Sequence, residues 1–167
     1  MVYHRLWTAV NIILIVGTII YIWFFSSHNN SYIITSQFLA QIAIILFFIN
    51  VNMYFIFLVI RKTSIRKVKI HLAKFSRIMM KWHIKIGVIA TIIIIGHASI
   101  NLFQVGPVVG FTHPKLVTGY LAILLLSVTL FAGYLRHKRA SGFRRKFHLV
   151  SAFVFLAAFL LHMFIFI

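Results

Sequence analysis

Long apolar stretches separated by short polar or basic segments dominate the chain. Five of them are long enough to cross a hydrocarbon core as an α-helix, which requires about 20 residues. They cover residues 6–25, 38–60, 82–103, 116–135 and 147–167. No small-residue cleavage site follows the first stretch, so we interpret it as a retained span and not as a signal peptide. The pattern predicts an all-α membrane protein with five transmembrane helices in a single domain, residues 1–167.

The segment between the second and third stretches, residues 61–81, has a helical pattern of its own. Its apolar residues recur at steps of three and four, with Lys and Arg between them, and they are Ile65, Val68, Leu72, Phe75 and Met79. This pattern predicts a basic amphipathic helix. Such a helix either lies on the inner leaflet or extends a membrane helix.

Composition restricts the chemistry that this chain can perform. The sequence is 62% apolar, has a mean hydropathy of +1.03, and contains no Asp, Glu or Cys. The absence of carboxylates excludes paired-acid hydrolysis and a hard-cation cage. The absence of Cys excludes thiolate chemistry, iron–sulfur ligation and covalent c-type haem attachment. Nine His and five Met remain for metal or redox chemistry.

The formal charge of +17 follows the membrane topology and does not indicate nucleic acid. Basic residues are concentrated at Arg5, at nine positions within 61–85 and at six within 136–146, all on one predicted side. Only Lys115 falls on the other side. The positive-inside rule therefore predicts a cytoplasmic N-terminus and an external C-terminus. We expect a multi-pass protein of a prokaryotic cell membrane that contacts lipid and does not bind nucleic acid.

Two pairs of histidines form the clearest candidate site. His83 and His97 lie on the predicted third helix and His148 and His162 on the fifth, each pair 14 residues apart. Fourteen helical residues return to within about 40° of the same face and rise about 21 Å. The two helices run in the same direction, so His83 is predicted level with His148 and His97 with His162. Facing imidazoles are axial ligands of haem iron.

The sequence thus predicts two b-type haems in a core resembling a four-helix bundle. The alternative is that these histidines are polar residues satisfied by neighbouring helices. Gly119 and Gly133 on the fourth helix are also 14 apart, at the predicted levels of the outer and inner histidines. Glycine there would let a macrocycle approach the backbone, or would serve small-residue helix packing.

Other polar residues are weaker candidates. Basic residues near the inner histidines could bind haem propionates or could only set topology; they are Arg77, Lys81, Lys138, Arg139 and Arg144. Asn50 and Asn52 on the second helix could bind a neighbouring helix or a quinone. For His28 and His113 on the outer side we favour a loop role over quinone, metal or partner binding. For His4, His71 and His137 we expect solvated or lipid-facing positions.

The histidine pattern resembles the transmembrane domain of ferric reductases and NADPH oxidases over roughly residues 80–167. The residues that carry the likeness are Lys81-Trp82-His83, Gly96-His97, Arg144-Arg145-Lys146-Phe147-His148 and Leu161-His162-Met163. The resemblance implies an inner and an outer haem on these four histidines. Cytochrome b of the bc complexes is similar in its doubled 14-residue spacing and its helix glycines. Unlike the oxidases, we expect no flavin- and nicotinamide-binding domain here, and unlike the bc cytochromes, no acidic quinol-site motif.

These features predict an electron-transfer component and not a complete enzyme. Electrons would pass between a cytoplasmic-side partner or quinone and an external acceptor, and a redox partner protein or a larger membrane complex is implied. A second interpretation is a non-redox subunit that anchors or stabilises a larger membrane complex. A third is a haem or metal transporter that uses the histidine rows as transfer stations.

Overall fold

The computed structural model describes residues 2–25, 30–139 and 141–165, and among residues 2–10 only the side chain of Ala9. This part of the chain is helical and contains no strand. Its elements are α1 (Val2–Ile20, continued as a π-helix by Tyr21–Phe25), α2 (Ser31–Lys62), α3 (Arg66–Ile100, continued by the π-helical Asn101–Val105 and the short Gly106–Val109), α4 (Pro114–Lys138) and α5 (Gly142–Phe164). The predicted all-α fold class is confirmed.

Four helices in the described ranges are long and apolar enough to cross a membrane: α2, Arg66–Val109, α4 and α5. Large apolar side chains such as Ile92 (63% exposed) and Phe131 (57%) project from them. Exposed apolar surface of this extent suits a lipid environment. The first predicted span, 6–25, lies within the helix of residues 2–25, and its part with described side chains, Asn11–Phe25, is apolar.

The helices extend beyond the predicted spans because polar residues at their ends continue the backbone hydrogen bonding. Asn30 accepts from the backbone N–H of Tyr32 (3.1 Å) at the start of α2. Ser141 accepts from that of Arg144 (3.2 Å) at the start of α5. Capping side chains of this kind satisfy the unpaired N–H groups of a first turn.

Residues 66–81 of the predicted basic segment and residues 82–100 of the predicted third span form one helix, whereas Arg61 and Lys62 end α2. Residues Arg66–Ile100 are α-helical without interruption. Of the two alternatives for the basic segment, this continuity favours the extension of the third apolar helix over a separate helix on the inner leaflet.

The chain divides into two compact units, Met1–Ile100 and Asn101–Ile167. In the first unit α2 packs along α3 and, less extensively, along α1. The amide of Asn52 donates to the Asn11 side chain (2.9 Å), and the Trp23 indole donates to Gln41 (2.8 Å). These pairs set α1 antiparallel to α2. Asn11 is only 9% exposed. Its side-chain oxygen therefore needs a hydrogen-bond donor from the protein, because hydrocarbon offers none, and Asn52 provides that donor.

In the second unit α4 and α5 form an antiparallel pair joined by a short turn. The Arg144 guanidinium donates to the backbone carbonyls of Leu135 (3.0 Å) and Arg139 (3.4 Å) at the end of α4. At the opposite end the ammonium of Lys115 donates to the carbonyls of Met163 and Ile165. Cations at helix C-termini satisfy terminal carbonyls and complement the helix dipole.

Candidate cofactor-binding histidines

The four predicted ligand histidines lie within uninterrupted α-helix, two in each unit. His83 and His97 are on α3, and His148 and His162 are on α5. All four are half-buried. Because no bulge interrupts the helix between the members of a pair, the predicted rise of about 21 Å and rotation of about 40° hold for both.

His97 is held by the second turn of α2. Its Nδ1 lies 2.9 Å from the backbone carbonyl oxygen of Ser36 and 2.9 Å from the Oγ of the same residue. Ser36 is only 3% exposed. The ring is therefore fixed by two oxygens of one buried residue on the neighbouring helix.

The two histidines of α5 are held by α4 in the same manner. The Nδ1 of His148 is 3.2 Å from the carbonyl oxygen of Thr129, and the Nδ1 of His162 is 3.1 Å from that of Lys115. The Oγ1 of Thr118 is a second neighbour of His162 Nδ1, at 3.3 Å. Because the Thr118 hydroxyl donates to the carbonyls of Pro114 and Lys115, its oxygen faces His162 as an acceptor.

These contacts determine which ring nitrogen carries the proton. A backbone carbonyl can only accept, so Nδ1 of His97, His148 and His162 must be the protonated nitrogen. In the neutral ring the lone pair then resides on Nε2. This tautomer can coordinate a metal through Nε2, and the carbonyl fixes the direction of the ring.

His83 is linked to α2 through its backbone. The Asn50 side-chain amide donates to the carbonyl of His83 (3.2 Å) and lies 3.5 Å from the position that a Cβ of Gly87 would occupy. Asn50 stands 14 residues after Ser36. The two α2 residues that contact the α3 histidines are therefore 14 residues apart, and so are the two histidines.

On α4 this interval also links each acceptor carbonyl to a glycine. Lys115 and Thr129 are 14 apart, and Gly119 and Gly133 each follow one of them by four residues. An α-helical carbonyl accepts from the N–H four residues later. The carbonyls of Lys115 and Thr129 therefore each face two donors, the imidazole of an α5 histidine and the backbone N–H of the glycine four residues later.

The glycines leave room for the imidazoles. A Cβ on Gly119 would lie 3.2 Å from Cε1 of His162, and one on Gly133 would lie 3.3 Å from Cε1 of His148. Gly119 therefore lies beside the predicted outer histidine of α5, His162, and Gly133 beside the predicted inner one, His148, as the sequence predicted. The nearest neighbour in each case is the imidazole, and contact of these glycines with a macrocycle stays a prediction.

The remaining candidates have structural partners. Asn52 donates to Asn11 and to the Phe48 carbonyl (2.8 Å), which supports the helix-binding alternative over a quinone. His113 accepts from the backbone N–H of Lys115 (3.3 Å) and caps α4. His71 and His137 are exposed. The side chain of His4 and all of His28 lie outside the described residues.

Ser36, Thr118 and the two acceptor carbonyls of α4 were not found from the sequence. Backbone carbonyls have no residue-type signal. The 14-residue interval between Ser36 and Asn50 was a usable signal, since it matches the histidine spacing. Among the described residues no three metal-ligating side chains come together.

The tautomer assignment can be measured directly. In full-length protein labelled with ¹⁵N at histidine, at about pH 8 where imidazole is neutral, we expect a protonated Nδ1 and an unprotonated Nε2 for His97, His148 and His162. His113 is the internal control, because its Nδ1 accepts an N–H and its proton must lie on Nε2. An Nε2–H tautomer at His97 would contradict the carbonyl assignment.

Alanine at either α4 glycine should destabilise the second unit. In Gly119→Ala and Gly133→Ala the new methyl group crowds an imidazole, and overpacking costs roughly 1–3 kcal/mol. Gly17→Ala is the control, because nothing lies within 4 Å of its Cβ position. It should leave the free energy of unfolding unchanged or raise it by up to about 1 kcal/mol. Unfolding in detergent with increasing SDS measures the difference, and equal stability of all three variants would refute the crowding.

No protein family, curated protein or solved structure matches this chain. The likeness to ferric reductases, NADPH oxidases and cytochrome b stays a prediction from the histidine pattern.

Proposed function

We propose that this protein is a transmembrane b-type dihaem cytochrome. It would pass electrons between a cytoplasmic-side partner or a quinone and an external acceptor, as an electron-transfer component and not as a complete enzyme. The observation that carries the proposal is the contact of Nδ1 with a backbone carbonyl oxygen, at 2.9–3.2 Å, in His97, His148 and His162. In each ring Nδ1 is directed to a backbone carbonyl, which places the lone pair on Nε2.

The residues present fit a haem iron. A bis-imidazole site needs neutral rings with an unprotonated Nε2 and a hydrogen bond at Nδ1 that fixes their orientation. Three of the four candidate rings have this arrangement. Hydrogen bonding to a carbonyl also makes the imidazole a stronger electron donor to a metal.

The proposed ligand pairs are those that the sequence predicts, His83 with His148 and His97 with His162. Bound haem would supply one-electron chemistry. Two imidazoles per haem leave no open position for a substrate, which favours electron transfer over oxygen activation. Separation of the two levels by about 21 Å of helix gives a stepwise route along the membrane normal.

The chain's own residues would hold the rings in place. The carbonyls of Ser36, Thr129 and Lys115 keep the Nδ1 protons, and the α4 glycines admit the α5 rings. A chain without carboxylates also leaves its cations available to the anionic propionates of haem. Arg144 is the exception among the candidates, because its guanidinium already binds the end of α4.

The proposal predicts two haems in each chain. A reduced-minus-oxidised spectrum of the purified full-length protein should be of b type, and a pyridine-haemochrome assay should give about two haems per chain. His97→Ala should reduce this number to about one, because only one of the two sites loses a ligand. His137→Ala, which changes an exposed histidine at the end of α4, should retain both.

A haem-free wild-type protein would disprove the proposal. If that colourless protein copurified with a larger membrane complex, the accessory-subunit interpretation would replace it. Loss of both haems in His97→Ala with unchanged folding would show that the two sites are not separate.

The Ser36 hydroxyl should tune only one haem. Its oxygen is a second acceptor for His97 Nδ1, and removing an acceptor makes the ring a weaker electron donor to iron. Ser36→Ala should therefore raise one midpoint potential by roughly 20–60 mV, the equivalent of a single hydrogen bond. Potentiometric titration measures both potentials. Ser127→Ala, an exposed α4 hydroxyl that donates to Ile123, should change neither, and equal shifts of both potentials would exclude a local effect.

A further inference from the structure

The hairpin of α2 and α3 is longer than a membrane is thick. At 1.5 Å per residue the 32 residues of α2 span about 48 Å, and the 35 residues of Arg66–Ile100 span about 53 Å. The hydrocarbon core is only about 30 Å thick. Charged side chains are costly inside that core, so the excess length lies at the basic end. With these lengths the tip of the hairpin, residues 61–81, would project beyond the bilayer, and we call it the basic arm.

Three lysines form a stripe along this arm. Lys67, Lys74 and Lys81 recur every seven residues and lie about 140–180° around α3 from Ser76. Ser76 is 6% exposed and belongs to the buried side of the helix, whereas the three lysines are exposed. The lysine stripe (Lys67, Lys74 and Lys81) thus faces away from the buried side.

The stripe needs anions from outside the chain. The sequence contains no Asp or Glu, so these lysines cannot pair with a carboxylate side chain of their own protein. Exposed apolar residues border the stripe, with Ile70 at 46% and Ile78 at 57% exposure. A surface that alternates lysine with exposed isoleucine suits an acidic protein surface that also has apolar positions.

Lipid headgroups reach only part of this stripe. Lys67 and Lys81 are about 21 Å apart along the helix axis, and that axis runs close to the membrane normal in a spanning helix. The headgroup layer is only about 5–8 Å thick on each side, and charges are screened within about 8–10 Å at physiological salt. Anionic lipid can therefore neutralise the Lys81 end but not the Lys67 end.

We propose that the lysine stripe is the docking surface for an acidic protein, namely the redox partner on the basic side of the membrane. This identity of the partner rests on the proposed function, whereas the docking of an acidic surface does not. The partner would present carboxylates at intervals of about 10 Å, the separation of successive stripe lysines.

A designed peptide tests the stripe. The probe is a 21-residue amphipathic helix with Glu at every seventh position, and its matched control has Gln at those positions. Binding is measured to the full-length protein in nanodiscs of phosphatidylcholine alone, at low and physiological salt. We expect the Glu peptide to bind more tightly than the Gln peptide, with the difference falling as salt rises.

Two triple variants separate the stripe from overall charge. The variant K67Q/K74Q/K81Q should weaken binding of the Glu peptide roughly 3- to 100-fold, the range for three exposed ion pairs. The variant K138Q/R145Q/K146Q removes the same charge from exposed positions of α4 and α5. It should weaken binding by less than about threefold. Equal losses in both variants would overturn the proposal.

A parallel measurement distinguishes the alternatives. If K67Q/K74Q/K81Q instead lost affinity only for vesicles containing phosphatidylserine, the stripe would be a lipid site and the proposal would fail. Haem is counted in the same samples. A haem-free protein that binds the Glu peptide through the stripe would refute the dihaem function and leave the docking surface intact, whereas a haem-loaded protein with no stripe dependence would do the reverse.

Discussion

The hydrogen bond from a histidine Nδ1 to a backbone carbonyl of the neighbouring antiparallel helix is the constraint on which the rest of the site depends. A polar imidazole in a membrane helix needs a partner that hydrocarbon cannot provide. Because the partner at His97, His148 and His162 is a carbonyl, it fixes the tautomer as well as the position of the ring. The same bond that makes these histidines compatible with a bilayer also prepares their other nitrogen to bind a metal. Stability in the bilayer and the proposed binding of a cofactor would therefore impose the same requirement on these rings.

The 14-residue interval extends this constraint to whole hairpins. Ser36 and Asn50 on α2 meet His97 and His83, and Lys115 and Thr129 on α4 meet His162 and His148. Two contacts about 21 Å apart fix the register of each helix pair, because a slip of one residue would turn both contacts away together. Glycine suits the α4 positions in this register, since a Cβ at either one would lie only 3.2–3.3 Å from an imidazole carbon.

Hydropathy predicted the all-α class and five apolar spans, and four of the described helices are long and apolar enough to cross a membrane, because lipid selects residue type directly along a helix. It did not predict helix ends, since α2 begins at Ser31 and α3 at Arg66, where capping and continuous backbone bonding outweigh polarity. Periodicity placed Gly119 and Gly133 at the levels of the α5 histidines, because glycine has a residue-type signal. The oxygens that hold the rings had none: a carbonyl is the same in every residue, and Ser36 is one of many small polar residues. The pairing of histidines between α3 and α5 stays a prediction.

The charge of the chain requires anions from other molecules. A protein with 17 basic residues and no acidic ones cannot neutralise itself, so every cation that needs an anion must take it from lipid, cofactor or partner. Cations at helix ends are the exceptions, since Lys115 and Arg144 bind backbone carbonyls. Most of the remaining cations lie within residues 61–85 and 136–146, outside the most apolar parts of the helices. Under the two proposals, lipid headgroups, haem propionates and carboxylates of a partner protein would supply these anions to different parts of the chain.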